Sequence, residues 1–92
     1  MKGIFFSTPL AILYLFKRSE KEKLSLQEII DLTQKIFPVD KGEIASAIVY
    51  LVENRFIERE SSNELEFKIS SRGIQIANLF EKILDLKSLS IN

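Results

Sequence analysis

The sequence contains no cysteine and no histidine, and it has only three glycines and two prolines in 92 residues. Without cysteine there are no disulfides, which is typical of intracellular proteins, and no thiol chemistry. Without histidine the chain lacks imidazole acid–base chemistry, and the usual structural zinc sites need one or both residue types. We therefore expect a cytoplasmic protein with no metal and no cofactor.

Net charge is also absent, because 13 basic residues balance 13 acidic ones. A basic surface for nucleic acid must therefore be local. The longest apolar run, residues 9–16, is too short to cross a bilayer and leads into Lys17-Arg18 without a cleavage pattern, so we interpret it as the first helix. No nucleophile–base pair or phosphate-binding loop is visible, and Lys41-Gly42-Glu43 lacks the upstream strand of a P-loop. The sequence does not predict an enzyme.

The clearest helix is predicted over residues 41–53. Asp40 is a suitable N-cap, and Glu43 three residues later completes an aspartate form of the capping box. Asn54 is the expected left-handed stop. One apolar stripe runs along this helix at spacings of three and four residues, and it consists of Ile44, Ala47, Ile48 and Leu51.

Two helices are predicted before it. Thr8-Pro9 predicts the start of a helix over residues 8–18, with Thr8 as N-cap. The charged residues 19–23 are expected to form a solvated loop. Ser25 and Glu28 form a capping box for a helix over residues 26–37, which Pro38 ends. The tight turn into the next helix indicates a helix-turn-helix.

Residues 56–70 predict a β-hairpin with a polar tip at Ser61-Ser62-Asn63, because apolar and polar residues alternate strictly in its second strand. Ser71 is a plausible cap for a last helix over residues 72–87, after which the tail is expected to fray. That helix is apolar on nearly two sides. Extra intramolecular core is one reading, and a homodimer interface is the one we favour. The interface would contain Phe5, Phe6, Ile76, Leu79, Phe80, Ile83 and Leu86.

These elements predict one domain over residues 1–92, mainly α with a small β-hairpin wing, in the order α-α-α-β-β-α of the winged helix-turn-helix. Over about residues 8–86 the chain resembles MarR-like and PadR-like regulators. The motifs are residues 46–59, SAIVYLVENRFIER, which resemble a recognition helix entering the first wing strand, and residues 69–73, ISSRG, which resemble the step from wing to last helix. The chain departs from the pattern at Asn54-Arg55, where the family usually has glycine.

The resemblance implies that a homodimer binds double-stranded DNA sequence-specifically, as a transcription regulator whose recognition helix enters the major groove. The apolar stripe leaves the opposite side of that helix free for contact. Lys41 is expected at phosphate, Ser46 at a base edge, and Tyr50 at phosphate or sugar. The full predicted DNA-binding set is Lys35, Lys41, Ala45, Ser46, Val49, Tyr50, Arg59 and Asn63.

The alternative is a winged-helix adaptor that binds protein and not DNA. The predicted recognition face lacks the arginine, glutamine or asparagine that make bidentate base contacts. The wing is acidic, which opposes contact with phosphate. In this reading Ala45, Val49 and Val52 form a protein-binding face.

Overall fold

The computed structural model describes residues 7–60 and 63–91, and of residues 63–64 and 85–91 it describes the backbone only. Phe5 and Phe6 therefore lie outside the described residues. The elements are α1 (Thr8–Ser19), β1 (Lys23–Ser25), α2 (Leu26–Ile36), α3 (Lys41–Glu53), β2 (Ile57–Glu60), β3 (Asn63–Ile69) and α4 (Ser71–Ile91). The predicted helix-rich fold with a β-hairpin wing is confirmed.

Strand β1 was not predicted, and the expectation that all of residues 19–23 form a solvated loop is wrong. β1 pairs antiparallel with β3, so that the sheet has the order β1-β3-β2. Leu24 lies opposite Phe67, and both side chains are buried. A strand of three residues offers no alternation to detect, and its pairing depends on a segment more than 40 residues away.

The core lies between α1, the apolar stripe of α3 and the inner face of the sheet. Every member of that stripe is at most 5% exposed, as predicted. Helix α1 is nearly enclosed, which agrees with its almost continuous apolar sequence. The larger buried side chains of the core are Ile12, Leu13, Phe16, Leu24, Ile29, Ile44, Leu51 and Ile57.

Side chains cap the helices, but two caps differ from the prediction. The Ser25–Glu28 capping box of α2 is present in both directions. Helix α1 is capped by Ser7, whose hydroxyl accepts from the backbone N–H of Leu10, so that Thr8 is the first helical residue. Ser70 takes the capping position predicted for Ser71, because its hydroxyl accepts from the N–H of Gly73. Helix α4 continues to Ile91, beyond its predicted end at residue 87.

Candidate nucleic-acid interface

Helix α3 is held by one side and presents the other to solvent. The predicted contacts Lys41, Ala45 and Ser46 are exposed, and the side chains of Val49 and Tyr50 are 55% and 50% exposed. Val52 is different, because it is half-buried and packs against the core. Assigning Val52 to an outward face was therefore wrong, and the free side of α3 is narrower than the sequence suggests.

The N-terminal end of α3 is fixed by hydrogen bonds to its own cap and to α1. Asp40 accepts from the backbone N–H of Glu43 at 2.8 Å, which confirms Asp40 as the N-cap. The expected return bond from Glu43 is replaced by a tertiary one, because a carboxylate oxygen of Glu43 accepts from the hydroxyl of Thr8 at 2.7 Å. The first turn of α3 is thereby joined to the first turn of α1.

The C-terminal end of α3 closes in a Schellman motif. The N–H of Phe56 bonds to the carbonyl of Leu51 at 2.9 Å, and the N–H of Arg55 bonds to that of Val52 at 3.1 Å. The left-handed residue is Arg55, with φ 62°, and not Asn54, whose φ is −97°. The prediction that Asn54 is the left-handed residue was therefore wrong, because that residue is the next one in the chain. Its side-chain amide instead donates to the carbonyl of Tyr50 at 2.9 Å.

The wing is fastened to the end of α3 through one serine. The backbone N–H of Ser70 bonds to the carbonyl of Phe56 at 3.0 Å. The Ser70 hydroxyl lies 2.8 Å from the carbonyl oxygen of Arg55 and 2.9 Å from that of Phe56, and its single proton is available to either acceptor. The position of the hairpin relative to α3 therefore depends on the backbone N–H and the hydroxyl of Ser70, and not on the exposed side chains of α3.

Cations stand at both ends of the exposed side of α3. Lys41 is the first residue of α3 and is exposed, and the exposed Lys35 lies in the last turn of α2, which precedes α3 in the chain. Arg55 is exposed at the C-terminal end, about 20 Å away for a helix of this length. Arg72 also belongs there, because its guanidinium lies 5.0 Å from the ring centroid of Phe56. Between the two ends, α3 carries the exposed acids Glu43 and Glu53.

Arg55 and Arg72 were not among the predicted contacts. A signal for each was present in the sequence. Arg55 occupies the position at which the resembled regulators usually have glycine, and Arg72 is the basic residue of the step from wing to last helix. Their closeness to the end of α3 depends on the Ser70 and Phe56 contacts, which sequence patterns do not show.

Of the two DNA contacts predicted on the wing, the structure describes the side chain of only one. Arg59 is exposed on β2, opposite Phe67 of β3. Asn63, expected at the hairpin tip, is the first residue of β3 and pairs with Glu60, while its side chain lies outside the described residues. The outer face is less acidic than the hairpin sequence alone suggests. Lys68 lies opposite Glu58, and Lys23 of β1 reaches Glu60 at 3.4 Å.

The predicted dimer residues of α4 divide into two groups. Leu79 and Ile83 are 56% and 42% exposed. Ile76 and Phe80 are half-buried, and Phe80 packs edge-on against Tyr14 with ring centroids 5.7 Å apart. The side chain of Leu86 is not described. A seam on α4 therefore depends mainly on Leu79 and Ile83, because the other two described side chains already pack within the chain.

Among the residues described, no group of three or more carboxylates or other ligands is arranged to hold a metal ion. None of the described helices combines the length and apolar character needed to span a membrane. A cleft of about 680 Å³ opens beside the sheet, and its lining includes lysines and glutamates as well as Ser70, Ser71 and Ile74.

No family model matches the chain, and no curated protein is significantly similar to it.

Proposed function

We propose that the protein binds double-stranded DNA sequence-specifically through α3, as a homodimeric transcription regulator. The observation that carries the proposal is that α3 is buried along one side and exposed along the other. Four apolar residues anchor one side in the core, while Ala45, Ser46, Val49 and Tyr50 stand free on the other. A helix held in this way fits the major groove of B-DNA, which is about 12 Å wide.

The exposed residues match the two kinds of contact that such a complex needs. Lys35 and Lys41 at one end of α3, with Arg55 and Arg72 at the other, are placed to neutralise phosphates on the two sides of the groove. Between these ends, Ser46 offers a hydroxyl to a base edge.

The small apolar side chains on the exposed side of α3 suit contacts with apolar groups of the bases. Ala45 and Val49 fit against thymine methyl groups, and Tyr50 is placed for a phosphate or a sugar. Glu43 is drawn toward α1 by its bond to Thr8, which limits its repulsion of phosphate. Arg59 and Asn63 supply the wing contacts in this proposal.

A homodimer would place two copies of α3 on successive major-groove faces of a palindromic site, about 34 Å apart. Leu79 and Ile83 of α4 supply the apolar surface for that pairing. A protein of this function works in the compartment that holds the DNA, which we take to be the cytoplasm.

The decisive experiment measures duplex binding by fluorescence anisotropy across a salt series, with a random duplex pool to select the preferred site. We expect affinity to fall as salt rises, and Lys41→Ala to reduce the salt slope by about one. Lys82→Ala is the matched control, because Lys82 is also an exposed lysine but lies on α4, outside α3 and the wing. Failure of the folded protein to bind any duplex at low salt would rule the proposal out.

A second candidate is the protein-binding adaptor, which the exposure of Val49 and Tyr50 favours. These side chains adjoin Glu53 on a helix whose exposed centre carries no cation. In that case Val49→Glu would abolish a protein complex while the fold survives and no duplex is bound. Duplex binding that is lost on the same substitution would support the DNA proposal instead.

A further inference from the structure

Glu43 is an exposed acid in the first turn of α3, and a bond to α1 holds its side chain in one position. Its carboxylate oxygen Oε2 accepts from the hydroxyl of Thr8 at 2.7 Å. Thr8 is buried, so the packing around it keeps this donor in place. The bond therefore fixes a side chain that is otherwise flexible, and it uses only one of the two carboxylate oxygens.

The second carboxylate oxygen of Glu43, Oε1, is open to another donor. Among the residues described, the carboxylate forms no hydrogen bond or ion pair besides the one with Thr8. An ionised carboxylate has about four acceptor sites, so Oε1 can accept a bond while Oε2 keeps its own. Glu43 lines a shallow depression between α1 and α3 together with Ser46 and Tyr50, which both belong to the proposed DNA-binding side of α3.

The base edges of the major groove determine which donor suits a carboxylate at this position. The phosphates around the groove are all negative, so an acid on an entering helix is repelled unless it accepts a hydrogen bond from a base. Cytosine and adenine each present an amino group there, whereas guanine and thymine present acceptors only. In adenine the N7 acceptor lies beside the amino group and repels a carboxylate, while cytosine presents its N4 donor without such a neighbour.

We propose that Glu43 determines specificity in the DNA complex, because its Oε1 accepts from the N4 amino group of one cytosine, with Thr8 as its positioning residue. This assignment rests on the proposed function, in which the N-terminal residues of the recognition helix contact base edges. The Cβ atoms of Glu43 and Ser46 are about 5–6 Å apart, because the two residues are three positions apart on a helix. Base pairs are stacked about 3.4 Å apart. The cytosine therefore lies within about two base pairs of the base that Ser46 contacts.

The test measures base preference position by position. The full chain first selects a site from a random duplex pool, and fluorescence anisotropy then compares all four base pairs at each position of that site. At one position the unsubstituted protein should bind the cytosine duplex about tenfold more tightly than the other three. Ser46→Ala should relax the preference at a neighbouring position, which locates α3 on the site. Far-UV circular dichroism confirms that each variant is folded.

Two substitutions of Glu43 should have different effects at that position. In Glu43→Gln the amide carbonyl keeps the Thr8 bond and the amino group faces the base. The preference should therefore move from cytosine to a base that presents an acceptor. Glu43→Ala should abolish the preference at this position and retain the preferences elsewhere in the site.

Glu53→Gln is the matched control, because it removes the same charge from another exposed position of α3. Both glutamine variants should bind all duplexes more tightly, since each lowers the repulsion of phosphate, but only Glu43→Gln should change the preferred base. Thr8→Val should reduce the cytosine preference severalfold without altering the salt slope, and Thr8→Ser should retain it. If Thr8 only supported the fold, Thr8→Val would instead weaken binding to all four duplexes equally.

The possible failures can be told apart. A Glu43→Gln protein whose base preferences match those of Glu53→Gln at every position would overturn the assignment, while duplex binding itself would stand. A cytosine preference that persists in folded Glu43→Ala would belong to another residue and would refute the assignment as well. If the folded, unsubstituted protein binds no duplex at low salt, the proposed function and this assignment fail together.

Discussion

The hydroxyl of Thr8 donates a hydrogen bond of 2.7 Å to the carboxylate of Glu43, 35 residues further along the chain. Thr8 is 5% exposed, so its hydroxyl has little access to water as a substitute partner. The bond joins the first turns of α1 and α3. It therefore helps to fix the orientation of the helix whose exposed side forms the candidate interface.

Replacement of Thr8 by valine should lower the free energy of unfolding by about 1 kcal/mol, because valine keeps the shape but removes the donor. Thr8→Ser is the matched control, since it keeps the hydroxyl and loses only a methyl group. Urea denaturation would measure both. A Thr8→Val protein as stable as the unsubstituted one, or less destabilised than Thr8→Ser, would show that the bond contributes nothing.

Local patterns predicted those parts of the fold that local interactions determine. The capping box of α2 and the apolar stripe of α3 need only residues three or four apart, and both are present. The outward side of α3 followed from that stripe for Ala45, Ser46, Val49 and Tyr50.

The remaining features depend on partners far away in the chain. Strand β1 exists because β3 pairs with it. Ser70 and Ser71 are equivalent caps by composition, and only the carbonyls of Arg55 and Phe56 distinguish them. Val52 turns inward because it packs against the core. Asn54 is the better left-handed residue by type, but its amide already bonds to Tyr50. The backbone bonds from Arg55 to Val52 and from Phe56 to Leu51 put the left-handed turn at Arg55.

The ion pair between α1 and α4 predicts a dependence of stability on acid. The ammonium group of Lys17 donates to a carboxylate oxygen of Glu81 at 2.7 Å and holds the pKa of Glu81 below its ordinary value of 4.5. A carboxylate whose pKa is lowered by folding stabilises the protein above its unfolded pKa. That contribution is lost as the pH falls through the lower, folded pKa.

Lys17→Gln should therefore be less stable than the unsubstituted protein at neutral pH, and the difference should shrink as the pH falls below 4.5. The effect is expected to be small and to decrease with added salt, because the two side chains are still 34% and 31% exposed. Thermal unfolding across a pH series would measure it. Lys82→Gln, which removes a lysine next to Glu81 on α4 that forms no ion pair with it, should show no such convergence. A difference that stays constant at low pH would mean that the pair does not account for it.

Gly73 is required by the closeness of α4 to the end of α3. A Cβ atom at this position would lie 2.2 Å from the carbonyl oxygen of Phe56 and 2.8 Å from a side-chain carbon of Ile69. Gly73→Ala should therefore destabilise by about 2 kcal/mol, because backbone must move. Gly42→Ala in the first turn of α3 should instead stabilise by about 0.5 kcal/mol, since its Cβ meets nothing nearer than 3.4 Å. Equal effects at the two sites in chemical denaturation would contradict this account.

The apolar residues of α4 predict how the proposed homodimer responds to charge. Ile76, Leu79 and Ile83 follow one another at spacings of three and four, and Leu79 is the most exposed of them. Leu79→Glu should convert a dimer to monomer in size-exclusion chromatography with light scattering, because it buries an unpaired charge at the seam. Asn78→Glu, an exposed position on another side of α4, should leave the mass unchanged. A dimer that survives Leu79→Glu must use a different surface.

Arg55 is exposed and has an unfavourable backbone conformation, and under the proposed function it contacts phosphate, so its replacement should separate stability from binding. Its φ of 62° is accessible to glycine without the side-chain clash that an arginine meets. We expect Arg55→Gly to raise the free energy of unfolding by up to about 1 kcal/mol, with part of the gain offset by the greater freedom of glycine in the unfolded chain. Under the proposed function it should weaken duplex binding and reduce the salt slope by about one.

Asn54→Gly is the matched control for the Arg55 substitution, and its effect on stability should have the opposite sign. Asn54 has a negative φ, and its side-chain amide donates to the carbonyl of Tyr50. Glycine at this position removes that bond and gains nothing from the backbone, so the free energy of unfolding should fall by about 1 kcal/mol. If Arg55→Gly were destabilising, the left-handed turn would not lie at residue 55. If Arg55→Gly stabilised the fold but left the salt slope unchanged, the proposed phosphate contact of Arg55 would be refuted. The left-handed turn at residue 55 would still be supported.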